Sequence, residues 1–78
     1  MPHYFFHIHD DRGEALDLQG LDLPDLASAQ HEAANSVREW LAIGPGQATP
    51  GAHVEVVEGY APIPAVIVPF AEALAQLR

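Results

Sequence analysis

The sequence predicts a small α+β fold: a two-layer sandwich in which one main amphipathic helix covers an antiparallel sheet of three to four strands. Segments in which apolar and polar side chains alternate lie on both sides of one stretch with helical spacing, in the order ββαββ. The spacing of the apolar residues at 69–78 predicts a short closing helix. We expect residues 1–78 to form a single domain, since the chain is too short for two.

The first strand is predicted at residues 3–9, where aromatic and β-branched residues dominate. Alternation places Tyr4, Phe6 and Ile8 on one face, which we expect to be the core face. The opposite face carries the remaining residues of the segment, three of which are histidines: His3, Phe5, His7 and His9.

The second strand is predicted at residues 14–18, as a hairpin partner of the first, because Asp, Arg and Gly at residues 10–13 are typical of a turn. Gly20 interrupts the alternation as a bulge or turn glycine does, and Leu21 and Leu23 resume it.

The main helix is predicted from Asp25 to about Ala42, with the Asp25 carboxylate as its N-cap. Gly44–Gly46, a Gly-Pro-Gly sequence, is predicted to end it. The small alanines allow a close approach to the sheet, and we expect the apolar face to pack on the core face of the first strand. This face consists of Leu26, Ala29, Ala33, Val37, Trp40 and Leu41.

Two more strands are predicted after the helix. Residues 53–58 alternate and end at a turn at Gly59 and Tyr60. Residues 63–68 are apolar on both faces and start beside Pro62 and Pro64, so we expect this strand at a sheet edge.

The composition excludes several classes of partner. Eleven acidic residues stand against three arginines and no lysine, which gives a formal net charge of −8. Because Arg12, Arg38 and Arg78 lie far apart, no basic patch for nucleic acid or for an anionic membrane surface is expected. The sequence has no cysteine and no apolar run long enough to span a membrane, and we expect no signal peptide because the first residues lack a basic start and a cleavage site. These features favour a cytoplasmic protein whose partner is a protein.

The histidines of the first strand are the candidate metal ligands. His3, His7 and His9 share a strand face, and neutral imidazoles bind zinc or a similar divalent metal, with Asp10 or Asp11 as an oxygen ligand. The alternative is a solvated sheet face without a ligand or cofactor. Free imidazole titrates near pH 6.5, and protonation of all five histidines would bring the formal charge to −3, so pH-dependent self-association is a further hypothesis.

No catalytic residue is predicted. Asp25, Ser28 and His31 match a hydrolase triad in residue type, but Asp25 is needed as the helix cap and no oxyanion site accompanies them. We therefore expect a non-enzymatic protein.

The predicted function is an acidic protein–protein interaction module that also self-associates as a homodimer. Val66, Val68 and Phe70, near the predicted edge strand, are the candidate segment for pairing between copies. One alternative is a small metal- or ligand-binding protein that uses the histidine face. Another is an acidic inhibitor or antitoxin-like protein that docks on a basic partner.

Three motifs resemble a known family: Met-Pro-x-Tyr-Phe-Phe-x-Ile at residues 1–8, Leu-Pro-Asp-Leu-x-x-Ala at 23–29, and Val-Pro-Phe-x-Glu-Ala at 68–73. In this order they are similar to short bacterial proteins classed as a domain of unknown function. That family commonly has arginine at position 3, where this sequence has His3. The resemblance implies no activity, cofactor or site residue. The order of strands and helix also resembles small antitoxin-type domains that partner a toxin.

Overall fold

A computed structural model describes residues 1–43 and 49–76 of the chain. Within these residues it contains five strands and two helices, which confirms the predicted small α+β fold with a main helix and a short closing helix. The elements are β1 (His3–Asp10), β2 (Gly13–Ala15), β3 (Leu21–Asp22), α1 (Leu26–Ala42), β4 (His53–Glu58), β5 (Val66–Pro69) and α2 (Phe70–Gln76).

The strands form one antiparallel sheet in the order β2-β1-β4-β5, and β3 also pairs with β1. The predicted second strand is therefore two short strands on the same side of β1. β2 pairs with the end of β1, where Ile8 lies opposite Ala15, and β3 pairs with its beginning, where Tyr4 lies opposite Leu21. Residues 16–20 leave the ladder between these two pairings.

Asp17 holds the loop of residues 16–20 against β1. Its Oδ2 accepts a hydrogen bond from the Phe6 N–H (3.1 Å), which points to the gap between β2 and β3. Its Oδ1 accepts from the N–H groups of Gln19 and Gly20, each at 3.1 Å. Partial burial raises the pKa of Asp17, but the N–H donors of Gly20, Phe6 and Gln19 lower it more, so the net pKa lies below its usual range.

Gly20 closes this loop in a conformation that requires glycine. Its φ is +68°, in the left-handed region that side chains disfavour. A Cβ at this position would lie 2.7 Å from the backbone oxygen of Tyr4. The bulge or turn role predicted for Gly20 is confirmed.

The core lies between one face of the sheet and α1 and α2. The core face predicted for β1 is confirmed, since Tyr4, Phe6 and Ile8 are buried. Trp40 is partly buried against the core, whereas Leu26 is exposed, so the apolar stripe of α1 begins one turn later than predicted. The remaining buried residues are Ala29, Ala33, Ala34, Val37, Ala52, Val54, Val56, Val68, Phe70 and Ala73.

The predicted N-cap of α1 is confirmed. Asp25 has an extended backbone, and its Oδ1 accepts a hydrogen bond from the Ser28 N–H at 2.8 Å. This bond lowers the pKa of Asp25 because it favours the ionised carboxylate. α1 ends at Ala42, and Gly44–Gly46, which was predicted to end it, lies outside the described residues.

The strand after Pro64 begins at Val66 instead of residue 63, and its edge position is confirmed. Ile63 is exposed and lies outside the ladder, because a proline on each side removes the donors that a strand would need there. The closing helix begins at Phe70, and the predicted helical residues 77–78 lie outside the described residues.

In the described ranges, neither α1 nor α2 combines the length and the hydropathy that a membrane-crossing helix needs.

We expect Asp17→Asn to lower the free energy of unfolding by about 1–3 kcal/mol at pH 7. The two carboxylate oxygens accept three backbone hydrogen bonds, and at least one of these is lost when an NH₂ group replaces one oxygen. The stabilisation by the carboxylate is fully present above the pKa of an unfolded aspartate and disappears as the pH falls through the lower folded pKa. In urea unfolding from about pH 7 to about pH 3, the difference in free energy of unfolding between Asp17→Asn and the unmodified protein should therefore become smaller as the pH falls. Asp11→Asn, in the exposed β1–β2 turn, is the matched control. A constant difference across this range would contradict the role of ionised Asp17.

A pair of glycines separates backbone strain from steric crowding. Gly20 and Gly59 have similar positive φ values, +68° and +58°, but a Cβ would meet nothing within 4 Å at Gly59. Replacement of either glycine by alanine should lower the free energy of unfolding by about 1–2 kcal/mol, because a Cβ disfavours the left-handed backbone. Gly20→Ala should cost at least about 1 kcal/mol more, because the Tyr4 oxygen must move. Equal losses in urea unfolding would show that the close contact is unimportant.

Candidate functional site

The second face of the sheet is the candidate site. In the described parts of the chain, α1 and α2 both pack on the core face, and no helix lies against the opposite face. We call this opposite surface the open face. Because side chains alternate along a strand, the open face carries the residues that lie between the buried ones. Its members in β1, β4 and β5 are His3, Phe5, His7, His9, His53, Glu55, Val57, Ile67 and Pro69.

Three of these residues meet at one end of the open face and form what we call the histidine cluster: His9, His53 and Glu55. His9 and His53 are cross-strand partners in β1 and β4, and their rings stack with centroids 5.2 Å apart and an interplanar angle of 8°. Glu55 lies two residues beyond His53 on the same face. Its Oε2 is 2.8 Å from Nε2 of His9 and 3.7 Å from Nε2 of His53.

The outer ring nitrogens of the histidine cluster face oxygen atoms. Nδ1 of His53 is 2.9 Å from the carbonyl oxygen of Gly51, which only accepts hydrogen bonds. The proton of a neutral His53 therefore lies on Nδ1, and the lone pair of Nε2 points toward Glu55. Nδ1 of His9 is 3.3 Å from Oε2 of Glu14, its cross-strand neighbour in β2.

His9 lies between two carboxylates. Its Nδ1 faces Glu14 and its Nε2 faces Glu55, so both contacts are hydrogen bonds only when both nitrogens carry a proton. When the His9 ring carries only one proton, the other ring nitrogen presents its lone pair to the oxygen of Glu14 or Glu55, and the two repel each other. A cation between His9 and Glu55 relieves that repulsion as a second proton does.

His3 is engaged elsewhere. Its Nδ1 lies 2.6 Å from Oδ1 of Asp22 and its Nε2 lies 2.8 Å from the carbonyl oxygen of Gln19. Both partners are acceptors, so this geometry favours the imidazolium form. The hydrogen bond to Asp22, followed by that to Gln19, raises the pKa of His3.

His7 is also held by the loop of residues 16–20. Its Nδ1 accepts a hydrogen bond from the Asp17 N–H at 3.0 Å, which places the proton of the neutral ring on Nε2. The structure thus does not bring the predicted set of His3, His7 and His9 together at one point. Of the predicted oxygen ligands, Asp10 binds Arg12 through both oxygens, and Asp11 is exposed in the turn.

Two members of the cluster, His53 and Glu55, are not among the metal ligands that the first strand predicts. A signal for them was present, because alternation in β4 places both on one strand face. Their pairing with His9 was not visible, since β1 and β4 lie far apart along the chain and their register is decided by packing.

A groove of about 310 Å³ occupies the other part of the open face. Its apolar lining, from which we name it the aromatic groove, consists of Phe5, Leu18, Val57 and Tyr60. Tyr60 is 99% exposed and Leu18 is 85% exposed. The rings of Phe5 and Tyr60 have centroids 6.3 Å apart, so the two aromatic side chains form a continuous surface.

We expect the pKa of His3, measured by NMR from its ring protons, to lie above the ordinary value of about 6.5, and Asp22→Asn to lower it. The stabilisation by this pair is present below the unfolded pKa and is lost as the pH rises through the higher folded pKa. Asp11→Asn, which changes charge equally, should leave the His3 titration nearly unchanged. An identical titration in Asp22→Asn and the unmodified protein would refute the assigned cause.

Comparison with known proteins places the chain in a family. The model of a family described as "Domain of unknown function (DUF6894)" matches residues 3–60, which include β1 to β4 and α1. No match was found among curated proteins or among solved structures. Since the family model covers well over half of the sequence, this chain belongs to the DUF6894 family of unknown function.

Proposed function

We propose that this protein is a non-enzymatic, cytoplasmic interaction module whose open face docks a basic segment of a partner protein. The observation that supports this proposal best is the aromatic groove, where Phe5, Leu18, Val57 and Tyr60 are exposed or half-buried on a face that neither α1 nor α2 covers. Aromatic side chains of this kind supply most of the binding energy at many protein interfaces.

The charges of the open face favour a basic partner. Four carboxylates lie on this face. Asp17 lines the groove and Asp22 pairs with His3. Glu14 and Glu55 lie at the histidine cluster. The two arginines among the described residues lie elsewhere, Arg12 in the β1–β2 turn beside Asp10 and Arg38 in α1. An arginine or lysine of the partner therefore finds carboxylates for ion pairs and the rings of Phe5 and Tyr60 for cation–π contacts.

A second copy of the chain fits this face less well than a basic protein does. Two chains of charge −8 repel each other at neutral pH. The predicted pairing through β5 is also restricted by its backbone. The Phe70 N–H donates to the carbonyl oxygen of Ala52, and hydrogen-bonded and non-hydrogen-bonded pairs alternate along an antiparallel ladder. The backbone N–H of Val68 therefore points toward β4, and the backbone groups of Ile67 and Pro69 point away from the sheet. Since proline has no N–H, β5 offers a single outward donor, at Ile67.

Selection from a library of randomised peptides displayed on phage tests this proposal. We expect the enriched peptides to combine arginine or lysine with an apolar side chain, and their binding to weaken steeply with salt. The double variant Leu18→Ser/Tyr60→Ser should bind these peptides at least about tenfold more weakly. Both side chains are highly exposed, so the variant should fold normally.

Ile43→Ser is the matched control, because Ile43 is 67% exposed but follows α1 on the other layer. Its affinity should equal that of the unmodified chain. Enrichment of uncharged or acidic peptides, no enrichment at all, or equal losses in the control would overturn the proposal. Sedimentation that shows a dimer at neutral pH, dispersed by the double variant, would identify a second copy as the occupant and would also overturn it.

A further inference from the structure

We propose that the histidine cluster binds one divalent transition-metal ion of the zinc class, through Nε2 of His9, Nε2 of His53 and Oε2 of Glu55. The proposal does not rest on the proposed docking function, although both involve carboxylates of the open face. It also differs from the ligand set that the first strand alone suggested, because two of its three members belong to β4.

The spacing of the three ligand atoms supports a common ion. One ligand atom from each of the three residues lies within 4.8 Å of the other two. The contacts of the two Nε2 atoms to Oε2 of Glu55 measure 2.8 and 3.7 Å. In a tetrahedral zinc site with bonds of about 2.1 Å, ligand atoms lie about 3.4 Å apart. Because the two rings stack nearly parallel, a common ion requires them to rotate so that both Nε2 lone pairs point to one position beside Glu55.

The outer contacts of the two rings resemble those of metal-binding histidines. A ligating imidazole usually donates its other N–H to a carboxylate or to a backbone carbonyl, which fixes the ring and directs the second nitrogen to the metal. His53 has the carbonyl of Gly51 in this role, and His9 has the carboxylate of Glu14. Both Nε2 atoms thereby face the Glu55 carboxylate.

The chemistry of the ligands favours zinc and similar ions over magnesium or calcium. Two imidazoles and one carboxylate suit borderline metals, whereas hard cations prefer oxygen ligands alone. The negative charges of Glu14 and Glu55 attract a cation to this point. The side chains of His9 and Glu55 are each 25% exposed and that of His53 is 31% exposed, so an ion reaches the cluster from solvent.

Calorimetric titration of the untagged chain with ZnCl₂ tests the site. We expect one ion per chain, a rise in melting temperature with zinc concentration, and zinc-dependent shifts of the His9 and His53 ring signals in NMR spectra. His53→Ala and the more conservative Glu55→Gln should each weaken binding by at least about tenfold. Glu14→Gln should weaken it by about tenfold, as the loss of an outer hydrogen-bond partner does.

His31→Ala is the matched control, since His31 is exposed in α1 on the other layer and should contribute nothing. Circular dichroism establishes that each variant is folded. The absence of both heat and thermal stabilisation would overturn the proposal. Equal weakening by His31→Ala, or loss of binding in a folded His3→Ala variant but not in His53→Ala or Glu55→Gln, would also overturn it.

Discussion

Burial of one face of a thin sheet is the constraint on which the rest of this structure depends. α1 and α2 both pack on that face, and side chains of β1, β4 and β5 fill the space beneath them. Because successive side chains of a strand point to opposite sides, the burial of Phe6, Ile8 and Val54 places their neighbours on the open face. A shift of one residue in register would expose the core, so the position of the histidine cluster is tied to the stability of the fold.

The loop of residues 16–20 is the second organising feature. β2 and β3 pair with different parts of β1, and the Asp17 carboxylate replaces the missing strand by binding the Phe6 amide. The same segment binds His7 through the Asp17 N–H and His3 through the Gln19 carbonyl. The loop that satisfies the Phe6 N–H at the gap between β2 and β3 therefore also supplies the hydrogen-bond partners of His3 and His7. The side chain of His9, beyond the loop, remains directed toward β4.

The open face combines two different surfaces on the same strands. The aromatic groove suits apolar and cationic groups of a protein, and the histidine cluster suits a small cation. The two proposals interact through charge. A divalent ion held by His9, His53 and Glu55 would make the open face less negative and would weaken the long-range attraction of a basic partner. Membership of the DUF6894 family leaves both proposals open, because that family has no described function.

The sequence by itself determined the elements whose signals are local. Alternation located β1 and β4, and helical spacing with an Asp25 cap located α1, because these patterns reflect which side of each element faces the core. It also identified the core face of β1. Only the tertiary structure decided the division of the second strand, the engagement of His3 and His7, and the pairing of His9 with His53. These features depend on register between distant segments, which packing selects and no local pattern records.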